Sequence, residues 1–245
     1  MQTAGGLIDF DGAREPGNKQ MTPDRLQRHI NRTYVSLRVG TAITAFLFPF
    51  ILWHGGRYVA DEPLHSAMSY YYHTDMRDVF VGILFAIGSF LYLYKGFGHR
   101  ENVALNVAGL LALGVALFPI GPYDPNVART DVFSQTPLEP HTHDIHNTCA
   151  ILFFVAIAYV CIFRAKDSLY LIANPAIEAF YRRVYVVIGW LMILAPVVAA
   201  ALAHFRQQIF GEGESPVIFF VQSGAVWVFS TYWLVKTWEF SRHTD

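Results

Sequence analysis

Two short stretches gather most of the side chains in this sequence that could do chemistry. "HSAMSYYYHTDMRDVFVG", His65 to Gly82, holds Ser69, Tyr72, His73, Asp75, Arg77 and Asp78, and "LEPHTHDIHNTCAILFF", Leu138 to Phe154, holds His141, His143, Asp144 and His146. Each leads from polar residues straight into an apolar run. Histidines three apart across a helix start can converge on one metal ion, and His141 can approach from the extended lead-in. Three imidazoles on zinc leave a fourth position for water, which a carboxylate can deprotonate. With Ser69 to His73 taken as one helical turn, Ser69 and His73 are four apart and share a face. Ser69, His73 and Asp78 then line one wall of a pocket and His141, His143 and His146 the facing wall. Tyr72, Asp75, Arg77 and Asp144 surround it, with Arg77 pairing an aspartate or turning to headgroups.

The same residues have plainer uses. Thr74 or Asp75 can cap the apolar run that follows, and Asp75 and Asp78 suit the positive end of its helix dipole. Asp144 is a natural N-cap that starts the next helix at about Ile145. Tyr70, Tyr71 and Tyr72 sit where an interfacial aromatic belt is expected.

The elements that must position these groups are apolar helices. Of 245 residues, 53% are hydrophobic and 15% charged, with a net charge of -1, far more apolar than an ordinary soluble domain. A bilayer core of roughly 30 Å takes about 20 apolar residues per helix. Six runs approach that length: Tyr34 to Trp53, Val79 to Tyr94, Val103 to Ile120, Thr148 to Phe163, Val184 to Ala203 and Val217 to Leu234. The expected fold is an all-α bundle of six transmembrane helices. Residues 1–32 form a cytoplasmic N-terminal segment, 33–238 the membrane domain and 239–245 a cytoplasmic tail.

Basic residues set the expected orientation. Arg14, Lys19, Arg25, Arg28, Arg32, Lys95, Arg100, Arg164, Lys166, Arg182, Arg183, Lys236 and Arg242 fall on one side, against Arg57, Arg77, Arg129 and Arg206 on the other. The positive-inside rule then puts both termini in the cytoplasm of a bacterial inner membrane. His54, His65, His73, His141, His143, His146 and His204 share the opposite surface. No cleavable signal peptide is read in the polar lead-in. "TPDRLQRHINR", Thr22 to Arg32, with Thr22 as N-cap and Pro23 at the first helical position, suits a short amphipathic surface helix.

Small residues at Gly82, Ala86 and Gly88, and at Ala108, Gly109, Ala112, Gly114 and Ala116, let helices approach closely. Pro49, Pro119 and Pro196 can kink spans toward the histidine-bearing surface. Asn106, Gln222 and Ser223 are intramembrane polar groups, and Arg38 reads as a snorkelling anchor. Cys149 and Cys161 lie on one run and cannot reach each other. No Walker, GxSxG, HExxH or dinucleotide motif occurs, so neither nucleotide nor nucleic acid is an expected partner.

"SYYYHTDMRDVFVGILFAIGSFLYLYKGF", with "NVAGLLALGVALFP" and the His-led fourth run, resembles an uncharacterised family of bacterial multi-pass inner-membrane proteins. Ser69-x-x-x-His73 followed by Asp78 is similar to the pattern of the alkaline ceramidase and progestin and adipoQ receptor superfamily. That likeness implies a zinc-dependent amide or ester hydrolase of a lipid or amphiphile. His73 and two of His141, His143 and His146 would be ligands, Asp78 would polarise the water and Ser69 would support it. The superfamily has seven spans and paired histidines on the last, whereas "FFVQSGAVWVFSTYWLV" carries none. A second expectation is a non-enzymatic protein that binds or passes a small molecule or proton through a histidine-lined pocket including His54 and His204. A third is haem held by His73 and His146.

Overall fold

A computed structural model of the chain describes residues 23–118, 120, 141–205, 208–209 and 215–243. Arg14, Lys19, Thr22, Pro119, Arg129 and Arg206 lie outside the described residues, as do the side chains of Asp24, Arg242 and His243.

Six long helices, and no strand among the described residues, make up the protein: α1 (Pro23–Tyr58), α2 (Arg77–Leu93), α3 (His99–Leu117), α4 (Thr142–Tyr159), α5 (Pro175–His204) and α6 (Val217–His243). A 3-10 helix, Met68–His73, precedes α2. After Tyr159 the chain stays helical through a π turn, Val160–Arg164, and a 3-10 turn, Ala165–Leu171.

Five helical stretches are long and apolar enough to cross a membrane: Arg25–Tyr58, His99–Leu117, Thr142–Leu171, Pro175–His204 and Val217–Ser241. Against the six spans expected, α2 falls short in length. Its 17 residues reach about 25 Å at 1.5 Å each, below the roughly 30 Å hydrocarbon thickness. α1 is the reverse case. It runs 36 residues without a break at residue 32, so Arg25, Arg28 and Arg32 extend the first span rather than forming a separate surface helix. Pro49 and Pro196 sit inside continuous helices.

Each helix packs on its neighbours in sequence, and α6 returns to α1, closing a ring. The five residues Tyr94 to Gly98 between α2 and α3 hold those two helices antiparallel. Asn174 starts α5 by accepting from the Ala176 amide at 2.9 Å, with Pro175 at the first helical position. Inside the ring the core has two clusters. One, at the end holding the 3-10 helix, contains Phe48, Leu52, Met68, Tyr71, Tyr72, Met76, Phe80 and Phe219. The larger one fills the middle and the other end with Leu91, Tyr94, Leu105, Ile157, Tyr185, Met192, Phe229 and Trp233 among others.

Candidate functional site

The tyrosine run is built into the core rather than spread along an interface. Tyr71 is fully buried and Tyr72 nearly so. The run folds as a 3-10 helix, whose three residues per turn place positions four apart about 120° from each other. Ser69 therefore faces inward at 5% exposure, while His73 faces out, its Nε2 against the Ile120 carbonyl. The shared face expected of Ser69 and His73 does not form.

α2 starts at Arg77 with Met76 as N-cap, and no side chain caps it. Thr74 instead closes the preceding turn, donating to the Tyr71 carbonyl at 2.9 Å and accepting from the Met76 amide at 3.1 Å. Asp78 is in the first turn as expected, yet its side chain is 94% exposed and lies 3.7 Å from Arg77. Asp75 is exposed as well. Asp78 thus points away from Ser69 and out of the bundle, because the inward positions of this turn belong to Met76 and Phe80.

α4 begins three residues earlier than a cap at Asp144 would set it, with His141 as N-cap and Asp144 exposed in the first turn. That register turns His146 into the bundle at 3% exposure, where its Nδ1 lies 2.7 Å from the Phe118 carbonyl. His141 and His143 are exposed, and His143 meets Asn147 one turn on, at 3.0 Å. His54, stacked between Trp53 and Tyr58, and His204, against Phe205, are exposed too. Among the described residues no group of three His, Cys, Asp or Glu side chains is placed to share a metal ion.

Two of the expected residues do meet. Ser69 and His146 line one cavity of about 120 Å³ between the helices. Phe48 of α1, Phe80, Leu84 and Ile87 of α2, and Ala112 and Val115 of α3 form part of its wall. Ala150, Phe153 and Phe154 of α4 and Val226 and Phe229 of α6 complete it. The third polar residue is Gln222, whose Oε1 accepts from the Met68 amide at 2.8 Å. Ser69 Oγ has no hydrogen-bond partner.

The opposite end of the ring holds a second polar layer that sequence reasoning did not find. Arg38, Glu101, Lys236 and Glu239 are each at most 4% exposed. Lys236 donates to the Ala165 carbonyl at 3.0 Å, to Ser168 Oγ at 2.5 Å and to Glu239 Oε2 at 3.3 Å, which uses all three of its protons. Glu239 also accepts from Ser168 at 2.5 Å and from the Tyr185 hydroxyl. Glu101 accepts from the Phe97 amide at 2.8 Å. Arg38 donates to the Tyr94 hydroxyl at 2.9 and 3.2 Å and stacks 4.0 Å over Phe240, so it is a buried network member and not a lipid-facing anchor. The signal was present in α6: Gln222, Val226, Phe229, Trp233 and Lys236 follow the four-three spacing of one helix face.

No protein family, no curated protein and no solved structure matches the chain.

Proposed function

We propose that the protein is a six-span membrane protein, both termini cytoplasmic, that binds a small guest in this cavity. The carrying observation is the cavity itself, about 120 Å³ bounded by helices α1, α2, α3, α4 and α6 and the 3-10 helix, at the end of the ring away from the basic connections. Its wall is almost wholly apolar and carries one unpaired buried hydroxyl, a combination suited to a small guest. α2 makes the sixth crossing, its short length accommodated by local thinning of the bilayer.

This binding reading is preferred to the zinc hydrolase because a hydrolytic site needs several nitrogen ligands and a carboxylate at one point, and of that set only His146 and Ser69 line the cavity. It is preferred to haem because, of the two histidines named for it, His73 is exposed with its Nε2 against the Ile120 carbonyl and does not line the cavity. The test is fluorobenzene binding to the full chain in lipid nanodiscs, followed by fluorine NMR. A saturable signal distinct from lipid partitioning, lost in Ala112→Phe, is expected. Partitioning indistinguishable from empty nanodiscs would sink the proposal.

A further inference from the structure

We propose that the cavity's guest is a neutral amphiphile with one hydroxyl on a body the size of a benzene ring, held with its hydroxyl at Ser69 and His146. The inference rests on the binding reading above and names the ligand class for the same site.

Size comes first. An apolar cavity of about 150 Å³ stays dry and takes up benzene, and this one is about 120 Å³. The guest is therefore a single ring or a chain of similar bulk, not a two-chain lipid. The wall is suited to such a body, with Phe48, Phe80, Phe153 and Phe229 presenting ring surface.

The head follows from hydrogen-bond accounting. Of the three polar residues, Gln222 spends its carbonyl oxygen on the Met68 amide. His146 places Nδ1 on the Phe118 carbonyl at 2.7 Å. A carbonyl only accepts, so Nδ1 carries the proton, and the Val115 carbonyl is a second backbone partner of the ring. Ser69 Oγ, buried and unpartnered, can both donate and accept. A guest hydroxyl can donate to or accept from Ser69, with the His146 ring lining the same cavity.

Charge excludes the alternatives. No Lys, Arg, Asp or Glu lines the cavity. Arg77 and Asp78 lie beside each other outside it, and the ionic layer lies beyond Phe229 and Trp233 on α6. A carboxylate, phosphate or ammonium head would enter without a counter-charge at a large desolvation cost.

The experiment uses the full chain in nanodiscs with 4-fluorophenol, fluorobenzene and 4-fluorobenzoate, each Kd corrected for partitioning into empty nanodiscs. 4-Fluorophenol should bind about tenfold more tightly than fluorobenzene, the worth of roughly one net hydrogen bond, and 4-fluorobenzoate should not bind. Ser69→Ala should erase most of the phenol preference and leave fluorobenzene unchanged. Equal affinity for the phenol and fluorobenzene, a retained preference in Ser69→Ala, or tight benzoate binding would overturn the ligand class while leaving the cavity reading intact. Absence of saturable binding by all three would overturn both. The wild-type panel alone decides the question if Ser69→Ala fails to fold.

Discussion

Gly88 of α2 and Gly109 of α3 meet backbone to backbone. A Cβ on Gly88 would lie 2.8 Å from the Gly109 carbonyl oxygen, and a Cβ on Gly109 2.7 Å from that of Gly88. Neither carbonyl can swing aside without breaking its helix, so any side chain pushes the helices apart. Gly88→Ala or Gly109→Ala should each destabilise the protein by about 1–3 kcal/mol, the usual cost of overpacking, measured by denaturant titration in mixed micelles. Gly82→Ala is the control, because a Cβ there meets nothing within 4 Å. A control as damaging as the other two would show that helix approach is not the cause.

The ionic layer makes the second prediction. Lys236→Met removes the only cation within salt-bridge reach of Glu239 among the described residues, leaving a buried carboxylate supported by Ser168 and Tyr185 alone. A loss of about 3–5 kcal/mol is expected. Lys236→Met combined with Glu239→Leu should recover a large part of it, since the stranded charge is gone. A double variant as unstable as the sum of its singles would argue that packing matters more than charge.

Residues that the sequence groups with the site but the fold turns outward should not matter to binding. Asp78→Asn and His143→Ala should leave the 4-fluorophenol Kd within about twofold of wild type, consistent with surface changes near neutrality. A tenfold loss in either would place that side chain at the guest, against its exposed position.

Alkaline pH should act through Tyr71, in the 3-10 helix. Burial pushes its phenol above the usual value of about 10, with the His65 backbone opposing and the Glu62 carboxylate adding to the rise. A group with a raised folded pKa stabilises the fold below the unfolded pKa, and that contribution is lost as pH climbs through the folded value. Stability measured above about pH 10 should fall less steeply in Tyr71→Phe than in wild type. Identical slopes would remove Tyr71 from the account.

Single cysteines test the crossing of α2. Asp75→Cys and His99→Cys both replace exposed residues on either side of it. In a variant lacking Cys149 and Cys161, an impermeant maleimide should label position 75 only from the non-cytoplasmic side and position 99 only from the cytoplasmic side. Labelling of both from one side would mean that α2 does not span.

The sequence by itself determined that the elements are helices, most of them long and apolar enough to cross a membrane. Apolar runs of bilayer length can satisfy their backbone polar groups only as helices, and the runs at Tyr34, Val103, Thr148, Val184 and Val217 each begin within a helix long enough to cross. It also determined which polar residues gather at one end, because up-and-down spans put Ser69, His73, Asp78 and His146 at the same level. Which of them face each other was decided only in the tertiary structure. A shift of α4's start from Ile145 to Thr142 rotates its first turn, and a 3-10 rather than α-helical Met68–His73 separates Ser69 from His73. Such differences are smaller than the precision with which sequence fixes a helix boundary. Charge burial was likewise decided by neighbours. Arg38, Lys236 and Glu239 resemble residues that frame a membrane helix, and only the ring places Tyr94, Ser168 and Tyr185 from three other segments within hydrogen-bonding distance of them.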